Sequence, residues 1–187
     1  MEAAKGVGNE VRNPAVAKAV WYKLSVNDTE SLLSIANKIH PDLPESLEVF
    51  IERINLYPEG CLALIDEQGK GNKLYGYVIS HPIIRRQPPA LNSLLKEISP
   101  DADQYYIHDL AILSEARGCG FAQECISKLL AIAERFETTS LISVYDSTSF
   151  WGRFGFVSGE SDNGLERKLR DYGEDAVYLE RRNDNQI

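Results

Sequence analysis

The sequence predicts a mixed α/β (α+β) fold built as one domain. Strand-type and helix-type segments alternate along the chain, and two of the strands form a convincing hairpin. A long apolar strand at 104–113 leads through a glycine-rich turn into the most regular amphipathic helix, at 121–136. This order of elements is typical of a mixed sheet packed against helices.

The size and charge of the chain are those of a globular protein. At 187 residues, with 43% hydrophobic and 26% charged side chains, it can bury a core without crosslinks. The net charge of −8 disfavours a nucleic-acid partner and mildly favours cationic substrates. No apolar run is long enough to span a membrane. Residues 1–18 resemble a flexible N-terminal tail rather than a secretory signal, so the domain is expected at 19–187.

The cysteines indicate a reducing compartment. Cys61, Cys119 and Cys125 are odd in number and lack the spacing of metal ligands. We therefore expect a cytoplasmic protein, with nuclear access also compatible, that holds no metal. The sequence is compatible with either a monomer or a homodimer.

The first half of the chain contains a strand, two helices and the hairpin. The strand is expected at 21–26, and Asp28 is a plausible N-cap for a helix that ends near Ile39. Pro44 opens the second helix. The hairpin strands are predicted at 61–66 and 74–80.

The second half begins with a segment rich in proline and charge at 82–103, with a short helix expected around 91–98. The remaining predicted elements are the strand 104–113, the helix 121–136, a strand at 140–145, a short helix at 150–156, an acidic loop at 158–175 and a last strand at 176–181.

The turn at 117–122, Arg-Gly-Cys-Gly-Phe-Ala, is the strongest functional signal. Free backbone N–H groups and the positive end of the helix dipole coincide where a glycine turn opens a helix, which is typical of a phosphate site. The turn lacks the Gly-Lys-Ser/Thr of a Walker loop and the third glycine of a dinucleotide fingerprint.

This turn resembles the pyrophosphate-binding turn of the GNAT superfamily of N-acetyltransferases, Arg/Gln-x-x-Gly-x-Gly/Ala. The segment 146–156, DSTSFWGRFGF, is similar to the family segment in which a short helix carries Phe-Tyr before Gly-Phe. The resemblance covers roughly residues 19–157. It implies a twisted mixed sheet of about six to seven strands with helices on both faces and a splayed pair of central strands.

The resemblance also implies acetyl-CoA as co-substrate. Its pantetheine arm would pair with the main chain of Leu110, Ala111 and Ile112, as an added strand does. The pyrophosphate would bind the backbone N–H groups of residues 117–122, and the far side of the arm would contact the two residues Ser147 and Phe150. The full predicted cofactor set is Leu110, Ala111, Ile112, Arg117, Gly118, Cys119, Gly120, Phe121, Ala122, Ser147 and Phe150.

Acetyl transfer to an amine needs a base, because primary amines are protonated at neutral pH. His108 matches the family position that often carries this base, and the alternative is a buried histidine satisfied by a neighbour. Asp109 is expected to point to the opposite face of the strand. Trp151 stands where relatives carry the tyrosine that protonates the leaving thiolate. Tyr145 is the substitute candidate, with a purely structural tyrosine as the alternative.

The sequence therefore predicts an N-acetyltransferase that acts by direct transfer in a ternary complex. The expected acceptor is a small primary amine, such as an arylalkylamine or polyamine, as in the branch that the segment 106–112 resembles. A protein N-terminal or lysine acetyltransferase is the alternative enzyme. A catalytically silent acyl-CoA-binding module, which the indole of Trp151 favours, and a nucleotide-binding regulator are the alternatives from other classes.

Overall fold

The computed structural model describes residues 16–66 and 73–183, and these residues form one seven-stranded sheet. The strands are β1 (Ala19–Lys23), β2 (Leu62–Asp66), β3 (Leu74–Ile83), β4 (Gln104–Ile112), β5 (Thr138–Ser143), β6 (Val157–Ser158) and β7 (Val177–Arg182). Their order across the sheet is β1-β2-β3-β4-β5-β7-β6. Only β4 and β5 pair in parallel among the described strands, and all other neighbours are antiparallel.

Helices cover both faces of this sheet. They are α1 (Thr29–Ile39), α2 (Leu47–Leu56), α3 (Phe121–Ala133), α4 (Thr148–Gly152) and α5 (Asn163–Asp171). Neighbouring strand residues face opposite layers: Tyr77 packs with Phe50 of α2, whereas Val78 packs with Ile126 of α3. The predicted mixed sheet between two helical layers is confirmed. No helix in 16–66 or 73–183 has the length and apolar character of a membrane span.

The two central strands separate along their length. Pairing between β4 and β5 covers residues 104–107 and ends where Ile107 faces Leu141. Beyond that point β5 stays paired with β7 as far as Ser143, and β4 stays paired with β3 as far as Ile112. The predicted splay is therefore present, and it opens a wedge between the two carboxyl-terminal halves.

A β-bulge interrupts β4 at the mouth of this wedge. Ile79 of β3 faces Asp109, but the next residue, Ser80, faces Ile107, so His108 is the extra residue. The side-chain alternation of β4 is shifted by one position there. Ile107 packs with the α3 layer, whereas Ala111 packs with the α1–α2 layer.

The segment 84–103 contains no helix, so the short helix predicted around 91–98 is wrong. The backbone passes through positive φ at Asn92 (56°) and Lys96 (67°), values that a right-handed helix excludes. The carboxylate of Glu52 on α2 accepts hydrogen bonds from the N–H groups of Leu95 and Lys96, at 2.8 and 2.7 Å. A side chain from a distant element thus satisfies this backbone in place of a helix.

The acidic loop predicted at 158–175 is also wrong, since β6 and α5 occupy part of it. Asp162 caps α5 by accepting a hydrogen bond from Leu165 N–H at 2.8 Å. Leu165 and Tyr172 are buried and hold the helix against the domain. These two apolar positions lie among charged residues, which explains why the sequence reads as a loop.

The start of the chain differs from the sequence prediction in three bounds. The first strand begins at Ala19 rather than at Trp21, and Pro44 does not open the second helix, which begins at Leu47. The first strand ends at Lys23 rather than near Val26, because Ser25 caps a short 3-10 turn at Val26–Asp28. Residues 1–15 of the predicted tail lie outside the described residues. Val16 belongs to a 3-10 turn at Val16–Lys18, and its side chain is buried in the core on the α3 side.

Candidate active site

A cleft of about 730 Å³ lies between the splayed strands, the glycine turn and α4. Ten of the eleven residues predicted to bind the cofactor line it: Leu110, Ala111, Ile112, Arg117, Gly118, Gly120, Phe121, Ala122, Ser147 and Phe150. Cys119 does not line the cleft, and its thiol contacts the carbonyl of Arg117. The predicted residues therefore come together around one opening.

The glycine turn presents a row of free donors to this cleft. Gly118 and Gly120 have φ of 72° and 86°, the left-handed region that favours glycine, and Gly120 is the N-cap of α3. None of the backbone N–H groups of 118–123 has a hydrogen-bond partner within the described parts of the chain. A Cβ at either glycine would meet no atom within 4 Å, so the space in front of the turn is open.

Arg117 takes a different part from the one the sequence indicates. Its backbone N–H donates to Ser114 O at 3.2 Å, so the free N–H groups begin at Gly118 rather than at Arg117. Its side-chain Nε donates to Ile112 O at 2.9 Å, at the end of β4. The guanidinium is thereby fixed at the edge of the cleft, where it adds positive charge to the helix end. This local arrangement suits a diphosphate in spite of the negative net charge of the chain.

The opposite wall of the cleft is aromatic. Phe150, Trp151 and Phe154 pack as a cluster, with ring centroids 5.1 Å apart for Phe150 and Trp151. The Ser147 hydroxyl donates to Val144 O at 2.7 Å. Tyr145 is 46% exposed at the rim and stacks on the His40 ring, with centroids 5.7 Å apart. This wall can contact an apolar arm. The indole N–H of Trp151 cannot act as a general acid at physiological pH.

A narrow chamber of about 80 Å³, which His108 lines, adjoins the cleft and shares lining residues such as Leu110 and Trp151 with it. The His108 side chain is only 1% exposed, and its Nε2 lies 2.7 Å from Glu45 Oε1. Its Nδ1 is buried and has no partner in the described part of the protein. When Nε2–H donates to Glu45, the neutral ring keeps its lone pair on Nδ1, which is the tautomer a base requires.

A second histidine–carboxylate pair lies beside the first. His40, the residue that follows α1, places Nε2 2.9 Å from Oδ1 of Asp109, and the Tyr77 hydroxyl donates to Oδ2 of the same carboxylate. Asp109 therefore shares the α1–α2 side of the sheet with His108, so its predicted opposite orientation is wrong. The bulge at His108 is the reason, because it breaks the alternation of the strand.

Charge and burial act in opposite directions on these groups. Burial alone would raise the pKa of Glu45, but the charge and hydrogen bond of His108 hold it below its usual value. Burial alone would lower the pKa of His40, yet the hydrogen bond and charge of Asp109 raise it above its usual value. The site thus favours an ionised Glu45 and a protonated His40.

His81 completes the cluster from β3. Its ring lies 6.1 Å from that of His108 and 5.6 Å from that of Tyr106, and its Nδ1–H donates to Pro82 O at 3.0 Å. Burial, followed by the nearby charge of His108, lowers the pKa of His81 to about 3, so this ring is neutral. Tyr106 is also buried, and this burial raises its pKa.

Sequence reasoning identified His108 but missed the carboxylate that binds it and the paired His40. Both His40 and Glu45 belong to the connection between α1 and α2, which reads as a plain link between helices. The only signal was the sequence His-Pro-Asp-Leu-Pro at 40–44. Two prolines and a histidine in a short connection indicate a fixed segment, but they do not indicate which strand it contacts.

Comparison with known proteins agrees with this geometry. The sequence profile described as "Acetyltransferase (GNAT) family" matches residues 27–156. No curated protein matches the chain in sequence.

Three solved structures illustrate the likeness in fold. The loading GNATL domain of CurA from Lyngbya majuscula has a TM-score of 0.71 and 12% identity, over 90% of this chain and 99% of that one. N-acetylglutamate synthase from Neisseria gonorrhoeae, complexed with coenzyme A and N-acetyl-glutamate, has a TM-score of 0.65 and 16% identity, over 88% of this chain and 35% of that one. Arabidopsis thaliana Naa50, in complex with a bisubstrate analogue, has a TM-score of 0.62 and 12% identity, over 88% and 98%.

The family profile spans well over half of the chain, including both central strands and the glycine turn. Its agreement with the splayed sheet and the open row of N–H groups leads to one conclusion. The chain belongs to the acetyltransferase (GNAT) family and is an acyl-CoA-dependent acetyltransferase.

Proposed function

We propose that this protein transfers an acetyl group from acetyl-CoA to a small primary amine, by direct attack in a ternary complex. The observation that carries the proposal is the shared wall of two neighbouring spaces. The cleft with free N–H groups at 118–123 and the chamber that contains His108 and Glu45 are both lined by His40, Leu110, Val144, Ser147 and Trp151.

The cleft supplies groups that match each part of the co-substrate. The N–H groups of 118–123 and the positive end of α3 suit the diphosphate, with Arg117 beside them. The main chain of residues 108–112 has no β5 partner, so it suits the amide groups of the pantetheine arm. Ser147 and Phe150 line the other side of the same space. Cys119 lies outside this set.

His108 is the base in this proposal. The Nδ1 lone pair takes a proton from the bound ammonium form of the substrate, either directly or through water, and the freed amine then attacks the thioester carbonyl. Glu45, held ionised beside Nε2, stabilises the imidazolium that results. The C–N bond forms, the C–S bond breaks, and no acyl group passes through the protein.

The acceptor class follows from the walls of the chamber. Two carboxylates, Glu45 and Asp109, line it, while Leu43, Leu91 and Leu110 supply apolar surface. Carboxylates favour a cationic amine, and the apolar surface favours a carbon skeleton attached to it. An arylalkylamine or a polyamine has this chemistry.

The segment 84–103 supplies Leu91 to the wall of the narrow chamber, which favours a small acceptor over a protein chain. This segment is fixed by hydrogen bonds from α5 and its end: Lys168 Nζ to Pro88 O at 2.7 Å and the Tyr172 hydroxyl to Pro89 O at 3.1 Å. Asn92 is fixed in turn, since its side-chain oxygen accepts from Ser46 N–H at 2.7 Å. A peptide acceptor would require these contacts to open.

Two measurements test the proposal. Calorimetric titration should show binding of acetyl-CoA in preference to ATP or NAD, whereas a nucleotide-binding regulator would show no such preference. Release of free thiol should then be measured with arylalkylamines, polyamines, and peptides with a free N-terminus or lysine. Turnover is expected with the small amines. Turnover with peptides alone would overturn the acceptor class, and tight acetyl-CoA binding without turnover on any amine would indicate a silent binding module.

A further inference from the structure

His40 lies where the two spaces meet. It lines both the wide cleft and the narrow chamber, whereas His108 lines the chamber alone. In the proposed function the amine occupies the chamber and the pantetheine arm occupies the cleft. The C–S bond that breaks lies between the acetyl group, which the amine attacks, and the end of the pantetheine arm. The sulfur atom therefore belongs where the chamber and the cleft meet.

The surroundings of His40 suit a group that gives up a proton. Nε2 is bonded to Asp109, whose other oxygen accepts from Tyr77, so the ring is fixed on one side. Nδ1 is buried and has no partner within the described residues. A buried polar atom without a partner is costly, by about 1–3 kcal/mol, unless a ligand or water satisfies it. The side chain as a whole is 15% exposed and lines both the cleft and the chamber.

We propose that His40 donates its Nδ1 proton to the departing thiolate, a role that rests on the proposed function. The amine electron pair forms the C–N bond, the C–S bond breaks with its electron pair going to sulfur, and sulfur takes the proton from His40. His108 holds the proton that the amine has lost. Exchange with solvent then returns both rings to their starting states.

The other candidate donors fit this role less well. Trp151 lines both spaces, but an indole N–H is not an acid at physiological pH. Tyr145 lines the cleft only, at its exposed rim. Partial burial, with the negative charge of Asp42 added to it, raises the pKa of Tyr145, so its phenol is a poorer acid than usual.

The charged groups that face His40 set the direction of its titration. Asp109 and Glu45 are negative and favour the imidazolium, while Arg117 is positive and opposes it. Tyr145 stacks on the ring, and Tyr77 contacts the shared carboxylate. The net effect is a raised pKa for His40, so the ring keeps the donor form to a higher pH than an ordinary histidine and loses it as the pH rises through that pKa.

The test is the pH profile of kcat in the full-length protein. The wild type should lose rate as the pH rises through the pKa of His40. His40→Gln can still donate to Asp109 but cannot titrate, so this alkaline decline should disappear and kcat at neutral pH should fall by about 10²-fold. The dissociation constant for acetyl-CoA should change by less than about twofold, equivalent to about 0.4 kcal/mol. Lys38→Gln, an exposed change near the end of α1, is the matched control and should behave as wild type.

A second variant separates chemistry from structure. His40→Gly should regain rate when imidazole is added, and the rescue should increase as the imidazolium fraction increases. The assignment is overturned if His40→Gln keeps both kcat and the alkaline decline, or if Tyr145→Phe removes that decline instead. If the wild type is inactive with every amine, the proposed function itself is wrong. If the wild type is active and His40→Gln is unaffected, only the role of His40 is wrong.

Discussion

Gln104, in the paired half of the β4–β5 pair, and the histidines of the splayed half differ in how their polar groups are satisfied. At the paired half, the buried Gln104 amide donates to Thr138 Oγ1 at 2.9 Å and to Glu180 Oε2 at 3.2 Å. Its oxygen accepts from Ser140 Oγ at 2.8 Å and from the Tyr178 hydroxyl at 3.0 Å. At the splayed half, His108 and His40 each leave a buried ring nitrogen without a partner in the described residues.

The difference separates stability from function within one strand. Satisfied buried groups hold the two strands together, since each lost partner leaves a buried polar atom uncompensated. The unpartnered ring nitrogens at the splayed half are available to a substrate. Until a substrate binds, they lower the free energy of unfolding. We therefore expect changes at the two halves to have opposite consequences, and four predictions test this.

The largest effect is expected from His108→Gln at the splayed half. Removing the base should lower kcat by about 10²–10⁴-fold, while the dissociation constant for acetyl-CoA changes little. Stopped-flow or steady-state release of free thiol measures the rate, and calorimetry measures the binding. Glu45→Gln keeps a hydrogen-bond partner for Nε2 but removes the charge, so it should lower kcat by a smaller factor. Unchanged kcat in His108→Gln would remove His108 from the mechanism.

At the paired half, Gln104→Ala should act on stability instead. The free energy of unfolding should fall by about 2–3 kcal/mol, because several buried partners lose their hydrogen bonds at once. Denaturant titration measures this loss, and Gln87→Ala, at an exposed position, is the matched control. The folded Gln104→Ala protein should retain acetyl-CoA affinity within about twofold. A large loss of affinity with unchanged stability would contradict the separation.

The glycine turn gives a third and smaller effect. Gly120→Ala forces a side chain onto a residue with φ of 86°, at a cost of about 1–2 kcal/mol. Movement of the turn to relieve this strain displaces the free N–H groups, so acetyl-CoA should bind about tenfold more weakly. Gly152→Ala is the control, since Gly152 lies in α4 and an added Cβ there also meets no atom within 4 Å. Equal affinity in the two variants would argue against the N–H row as the diphosphate site.

The fourth effect concerns His81, which lies beside the splayed half without lining either space. Its folded pKa is about 3 and its ordinary value is 6.5, so below pH 6.5 the unfolded chain binds a proton that the folded protein excludes. His81 therefore does not reduce the free energy of unfolding above pH 6.5. As the pH falls below 6.5, its titration lowers the free energy of unfolding by about 1.4 kcal/mol for each pH unit. His81→Gln should be less stable at pH 7 but should lack this slope between pH 6.5 and 5. Chemical denaturation at several pH values measures both, and an unchanged slope would show that His81 accepts a proton in the fold.

Most of the strands and helices could be predicted from the sequence, because the relevant signals are local. The apolar periodicity of α3 and the glycines before it identify the helix and the free N–H groups without knowledge of the fold. The contacts of Glu45 and His40 could not be predicted in this way. They depend on how the α1–α2 connection lies over β4, and no residue near Glu45 in sequence indicates that His108 is its partner.

The errors have the same origin. Residues 91–98 would form a helix on local grounds, but the carboxylate of Glu52 satisfies their backbone from another element. Asp109 was placed on the wrong face because strict alternation assumes an uninterrupted strand, and the bulge depends on the pairing with β3. Long-range contacts decided each case.

The extra residue at His108 also reverses which residues of β4, odd-numbered or even-numbered, face the α3 layer. Before it, odd-numbered residues such as Tyr105 and Ile107 face the α3 layer; after it, even-numbered residues such as Leu110 and Ile112 do so. An alignment of this strand with a strand that lacks the bulge consequently needs a one-residue gap at this position. Deleting His108 would remove the bulge and restore regular alternation, so Asp109 to Ile112 would keep the sides of the sheet that they occupy now.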